Sequence, residues 1–104
     1  MDVEDKARII EKIEGVRGVM ITNKDGAIIY SKIPRALREK MINMPIYMEN
    51  ILHSLKIKPK NITVQFAPDL KIMILMRNQY AIYVLASRYV DVLGIRTLIG
   101  QNNI

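Results

Sequence analysis

The sequence has no cysteine, no tryptophan, a single histidine, His53, and a single phenylalanine, Phe66. Without cysteine there is no disulfide framework, no thiolate metal site and no cysteine nucleophile, and one histidine excludes a multi-histidine metal site within one chain. No glycine-rich phosphate loop precedes either of the longer helical segments described below, which removes the usual route to nucleotide binding by the chain itself. Apolar runs are short. The longest, Ala81–Ala86, falls far below the roughly 20 residues needed to cross a bilayer. The N-terminus, Met1-Asp2-Val3-Glu4-Asp5, is acidic where a signal peptide would be basic and then apolar. These absences set the expectation of a cytoplasmic protein without metal or cofactor. No pair of groups at catalytic spacing stands out, so an enzyme is not expected.

What is present is ordinary for a globular chain. Half of the 104 residues are hydrophobic and a quarter are charged, which suits a single domain over residues 1–104. Basic residues outnumber acidic ones 16 to 10, a formal net charge of +6, and such an excess raises nucleic acid or anionic lipid as partners. Here the basic residues are scattered. Their nearest clusters are Lys56-Ile57-Lys58-Pro59-Lys60 and the group Arg35, Arg38 and Lys40, and neither is interleaved with stacking aromatics. They read first as solvated surface charges and second as attraction for an acidic protein surface. Nucleic acid and membrane are not expected partners.

Periodicity divides the chain into eight segments. Val3, Ala7, Ile10 and Ile13 or Ile9 recur at three-to-four spacing, predicting a helix that Asp2, Glu4 and Asp5 suit at its N-terminus and Gly15 ends. Val16–Thr22 reads as a buried strand, joined through Asn23-Lys24-Asp25-Gly26 to a second strand, Ala27–Ser31. Pro34 can open a longer helix. Leu37, Met41, Met44, Met48, Ile51 and Leu55 follow at steps of four and three, predicting one buried stripe. Pro45 interrupts it and predicts a bend rather than a break. Asn61–Ala67, Lys71–Met76 and Tyr80–Ala86 then read as an antiparallel meander with turns at Pro68-Asp69 and Arg77-Asn78-Gln79. Tyr89–Ile99 reads as a third helix with Val90, Leu93, Thr97 and Leu98 on one side, and Gln101–Ile104 is expected to fray. The order by itself implies an α+β domain with helices packed on an antiparallel sheet.

Two segments carry a resemblance. Glu14-Gly15-Val16-Arg17-Gly18-Val19, continuing to Asp25-Gly26, resembles the opening of roadblock/dynein light chain domains, where a helix runs into a "GV-x-G" strand and an acidic-glycine hairpin. Val92-Leu93-Gly94-Ile95-Arg96 is similar to the "LG-x-x-R" start of the last helix in the prokaryotic members. The resemblance covers nearly the whole chain. It implies a five-stranded antiparallel sheet with the long helix on one face and the two terminal helices on the other, a roadblock/profilin-like arrangement. It also implies dimerisation, with the strand at Asn61, Ile62, Thr63, Val64, Gln65 and Phe66 pairing across a two-fold axis and the long helices side by side. Pro45 and the methionine-rich stripe are departures that bear on how the helices meet. The residues support the dimer independently, because an edge strand that nothing covers is a template for pairing.

The candidate partner surface is the long helix's other face, which the stripe places at Arg35, Glu39, Ile42, Ile46, Glu49 and His53, with Tyr47 beside the two isoleucines. Two apolar residues one turn apart where water is expected make a small patch, read as a contact for a partner or a second copy. The resemblance implies that this helix pair is the platform on which a small Ras-like GTPase docks. Met41, Met44 and Met48 read as core rather than as an adaptable groove. His53 reads as a surface residue, and Asp25-Gly26 as a turn needing positive φ. An arginine-finger role for Arg35 or Arg38 is disfavoured. The expected function is therefore a non-enzymatic dimeric module that regulates or scaffolds a GTPase. The alternative is a light-chain-like scaffold subunit of a larger motor or membrane-associated complex. The isoleucine- and lysine-rich composition hints at a prokaryotic source.

Overall fold

The computed structural model describes residues 2–101, the side chain of Phe66 excepted. The elements are α1 (Val3–Glu11), β1 (Val16–Asn23), β2 (Ile28–Lys32), α2 (Arg38–Leu55), β3 (Asn61–Ala67), β4 (Leu70–Met76), β5 (Tyr80–Ser87) and α3 (Val92–Gln101). The end expected to fray begins inside α3 at Gln101, and residues 102–104 lie outside the described part.

Local chemistry explains the boundaries. The Asp2 carboxylate accepts from the Asp5 amide at 2.9 Å and so caps α1, satisfying one of the amides that a helix start leaves without a partner. The helix ends at Glu11 with Lys12 as its C-cap, earlier than the expected stop at Gly15; Gly15 instead sits in the turn before β1, where it takes φ +90 and a Cβ would come 2.6 Å from Val90 Cγ2. The position therefore excludes a side chain on two counts. Gly18 serves by proximity instead: a Cβ would lie 2.9 Å from the Lys32 carbonyl. The β1–β2 hairpin is built around Asn23, whose side-chain oxygen accepts from the amides of Asp25 (2.9 Å) and Ala27 (3.0 Å) while Gly26 adopts φ +87. The sequence pointed to Asp25-Gly26; the organising side chain two residues earlier was not foreseen.

The five strands form one sheet in the order β2-β1-β5-β4-β3, and every neighbouring pair is antiparallel. Strand periodicity sorts the side chains into two cores. Val19, Ile21, Met73, Leu75, Ile82 and Val84 face α1 and α3 and pack with Ala7, Ile10, Ile95 and Ile99. Met20, Ile72, Ile74, Tyr83 and Leu85 face the opposite way and pack with Met41 and Met48 of α2. The three central strands are thus covered on both faces, which is why they read as nearly continuous apolar runs.

The helix faces differ from expectation in two places. In α3 the buried residues are Ile95 and Ile99, whereas Leu93 is 73% exposed and Leu98 is also exposed. The helix starts at Val92, not Tyr89, because Val90 closes a turn onto the Ser87 carbonyl and the first helical bond runs from Ile95 to Asp91. In α2 the buried residues are Met41, Pro45 and Met48, with Leu52 half-buried; Leu37 and Met44 are half-buried, and Ile51 and Leu55 are exposed. The inward face is therefore rotated toward Pro45, which fills core space within a helix that runs unbroken through it.

Gly15→Ala should lower stability by about 1–3 kcal/mol, the usual cost of forcing a side chain into such backbone geometry. Urea unfolding of the two proteins checks this, and an unchanged midpoint would contradict the role given to Gly15.

Candidate functional site

Topology places the long helix relative to the sheet. β2 and β3 are opposite edges, α2 begins shortly after β2, and it ends shortly before β3. It must therefore cross the sheet from one edge to the other, and its last turns lie at the β3 edge, where there is no further strand to cover. This is the physical reason that Ile51 and Leu55, in register with the buried stripe by spacing, stay in solvent.

The helix starts less simply than Pro34 implied. A 3-10 turn, Arg35–Leu37, precedes it, and Leu37 offers no side-chain cap, a situation in which tightened turns are common. Arg35 consequently stands before the α-helix rather than on it, although it is exposed as expected. Glu39, Glu49 and His53 are exposed as well. Ile42, Ile46 and Tyr47 are 54%, 61% and 60% exposed, large values for side chains of this size. At about 100° per residue, however, Tyr47 falls on the flank away from Ile42 and Ile46. It shares that flank with Ile51 and Leu55, and exposed Asn43, Asn50 and Ser54 run between the two. The structure thus separates Tyr47 from the expected patch and sets it on a second apolar flank with Ile51 and Leu55, two residues that the spacing had assigned to the buried stripe.

β3 has the bounds expected of it and pairs only with β4. Asn61, Thr63 and Gln65 are exposed while Ile62 and Val64 are half-buried against the α2 core. No charged residue occurs between Asn61 and Ala67, so this edge lacks the lysines that commonly keep exposed strands apart.

Solved structures supply the comparison. No family model matches the chain, and no curated protein matches it. A Roadblock/LC7 domain from Streptomyces avermitilis matches with a TM-score of 0.69 at 10% identity, over 99% of this chain and 96% of that one. MglB of Myxococcus xanthus gives 0.67 at 12% identity, over 97% of this chain and 90% of that one. MglC of the same organism gives 0.66 at 11% identity, over 97% and 92%. The chain has the Roadblock/LC7 fold. Its five-stranded antiparallel sheet, with α2 on one face and α1 and α3 on the other, is the roadblock arrangement expected above.

Among the described residues, no group of three or more histidine, aspartate or glutamate side chains could hold a metal ion, and no helix is long and apolar enough to cross a membrane. Two tyrosines, Tyr83 and Tyr30, depart from ordinary titrating behaviour. Burial beneath α2, and then the Glu49 carboxylate, push the Tyr83 phenol from 10.0 up to about 12. Tyr30, which donates to the Glu11 carboxylate, is also pushed up to about 12, first by that hydrogen bond and then by burial. A phenol raised in this way stays neutral in the fold while the unfolded chain ionises near pH 10. Its contribution to stability is complete below pH 10 and is lost as pH climbs toward 12.

Two of the five tyrosines should therefore ionise late in a 295 nm titration. Glu49→Gln should move only the Tyr83 transition downward, and Glu11→Gln only that of Tyr30. A single uniform transition near pH 10 in the folded protein would contradict both environments.

Proposed function

We propose that the chain, as one domain over residues 1–104, is a non-enzymatic, dimeric protein-binding module that regulates or scaffolds a small Ras-like GTPase in the cytoplasm. The observation that carries the reading is the coincidence of an open, uncharged β3 edge with exposed apolar residues on the helix that ends beside it. Antiparallel pairing of β3 with its copy would satisfy the edge amides and carbonyls. It would also bring the two α2 helices together on one side of the joined sheet, where Tyr47, Ile51 and Leu55 supply apolar surface for their contact. The other flank, Ile42 and Ile46 with Glu39 and Glu49 around them, remains outward for a partner. The likeness to MglB and MglC supports this reading through the fold they share, and the resemblance of the sequence motifs to prokaryotic roadblock domains supports the choice of a GTPase.

The light-chain-like scaffold reading is favoured by a different observation. β2 is a second open edge, and its Ile28 and Ile29 are exposed, so a strand from a larger chain could add there. Such an assembly is compatible with a β3 dimer and needs no GTPase.

Calorimetric titration of the purified protein with small GTPases, each loaded with GDP or with a non-hydrolysable GTP analogue, separates the two. The proposal expects binding that depends on the nucleotide and that Ile42→Asp and Ile46→Asp each weaken by roughly tenfold or more, as for residues central to an interface. Undiminished binding by both variants would remove Ile42 and Ile46 from the interface, and no binding in either nucleotide state would favour the scaffold.

A further inference from the structure

Arg96 ends the segment Val92-Leu93-Gly94-Ile95-Arg96 at the start of α3. From α3 its side chain crosses to the edge strand, where Nη2 donates to Thr63 Oγ1 at 3.1 Å. Its Nε is buried without an acceptor, the one such side-chain atom among the described residues. Native proteins keep few unsatisfied buried donors, and each calls for a cause. A guanidinium offers five N–H groups in a fixed fork, yet here it is set at an open sheet edge with a single hydroxyl to receive it among the described residues.

We infer that Arg96 is a clamp on the seam between two copies of this chain, its guanidinium donating to the polar row that a second copy's β3 brings to the same face. The inference rests on the β3 pairing proposed above. It follows from the parity of the strand. Ile62 and Val64 belong to the layer under α2, so Asn61, Thr63 and Gln65 lie on the Arg96 face. Residues directly opposite in an antiparallel pair project to the same side. Any register that sets apolar against apolar therefore sets the row Asn61, Thr63, Gln65 against its copy. Each of these carries a side-chain oxygen, so a register that sets Thr63 opposite Asn61, Thr63 or Gln65 of the second copy gives Arg96 a new acceptor beside Thr63. Small movement of the fork at the seam would then give Nε the partner it lacks in one copy. Lysine would replace it only in part, because an ammonium lacks the planar fork that holds acceptors on both strands at once.

The test is a dilution series by sedimentation equilibrium on the wild type, Arg96→Met and Arg96→Lys, with thermal unfolding of each at a concentration where it is monomeric. The expected result is a wild-type dimer whose Kd rises roughly tenfold in Arg96→Met and by a smaller factor in Arg96→Lys, with monomer melting little changed. If Arg96→Met does not fold, Arg96→Lys, which keeps the stem and charge, decides alone. A wild-type dimer whose Kd stays within about twofold in the folded variants would overturn the clamp and leave the dimer standing, with Arg96 only tying α3 to Thr63 in its own chain. A wild type that remains monomeric at all concentrations would overturn the dimer and the clamp together.

Discussion

A sheet with apolar side chains on both faces needs a helical layer on each, and this constraint organises the molecule. α1 and α3 cover one face and α2 alone covers the other, which uses nearly all the helix that a chain of 104 residues provides. Among the described residues no further strand or helix lies beside the two edges of the sheet. β2 and β3 are therefore both open edges, and the two are treated differently. β2 is short and carries Lys32, while β3 is longer and has no charge from Asn61 to Ala67. Of the two, β3 is the edge chemically disposed to pair.

The same constraint explains the exposed side chains on α2. One helix must join the β2 edge to the β3 edge, so it crosses the whole sheet and reaches the far edge with apolar residues that have nothing beneath them. Ile51 and Leu55 are stranded by topology, not by composition. The ion pairs of Arg8 with Glu4 and Asp5 and of Lys32 with Glu11 each involve at least one well-exposed partner, and such pairs contribute little to holding the layers together. The architecture rests on apolar layers, with side-chain hydrogen bonds at caps and turns, at the β3 edge, and from α1 to β2 and β5.

How much of this was legible in the sequence depended on whether the signal was local. β3 and the hairpin were readable because alternation and turn residues act over a few positions; the boundaries Asn61 and Ala67 are those of the structure. The edge position of β3 came from the family resemblance, because a three-strand meander has two ends and local pattern does not say which of them pairs onward. The buried face of α2 was not. Its residues are apolar at both Met41–Met48 and Ile51–Leu55, and spacing cannot tell where the sheet below comes to an end. Pro45 compounded the error by looking like an interruption when it is one of the buried residues of the helix. α3 is apolar around most of its circumference, so Leu93 and Leu98 matched the helical period as well as Ile95 and Ile99 did. The outward residues Ile42 and Ile46 were found, but Tyr47 was grouped with them by adjacency in sequence and stands on the other flank. Arg96 was visible as part of a motif, yet its reach to Thr63 is a contact 33 residues apart that no local pattern encodes.

Hydrogen exchange along the two sheet edges, followed over a range of protein concentrations, tests the central claim most directly, because in an edge strand every second amide points away from the sheet. The account predicts that the outward amides of β3 become protected as concentration rises, while those of β2, with no second copy to pair with, go on exchanging at a rate independent of concentration. Outward amides in β3 that exchange as freely as those of β2 at every concentration would contradict it.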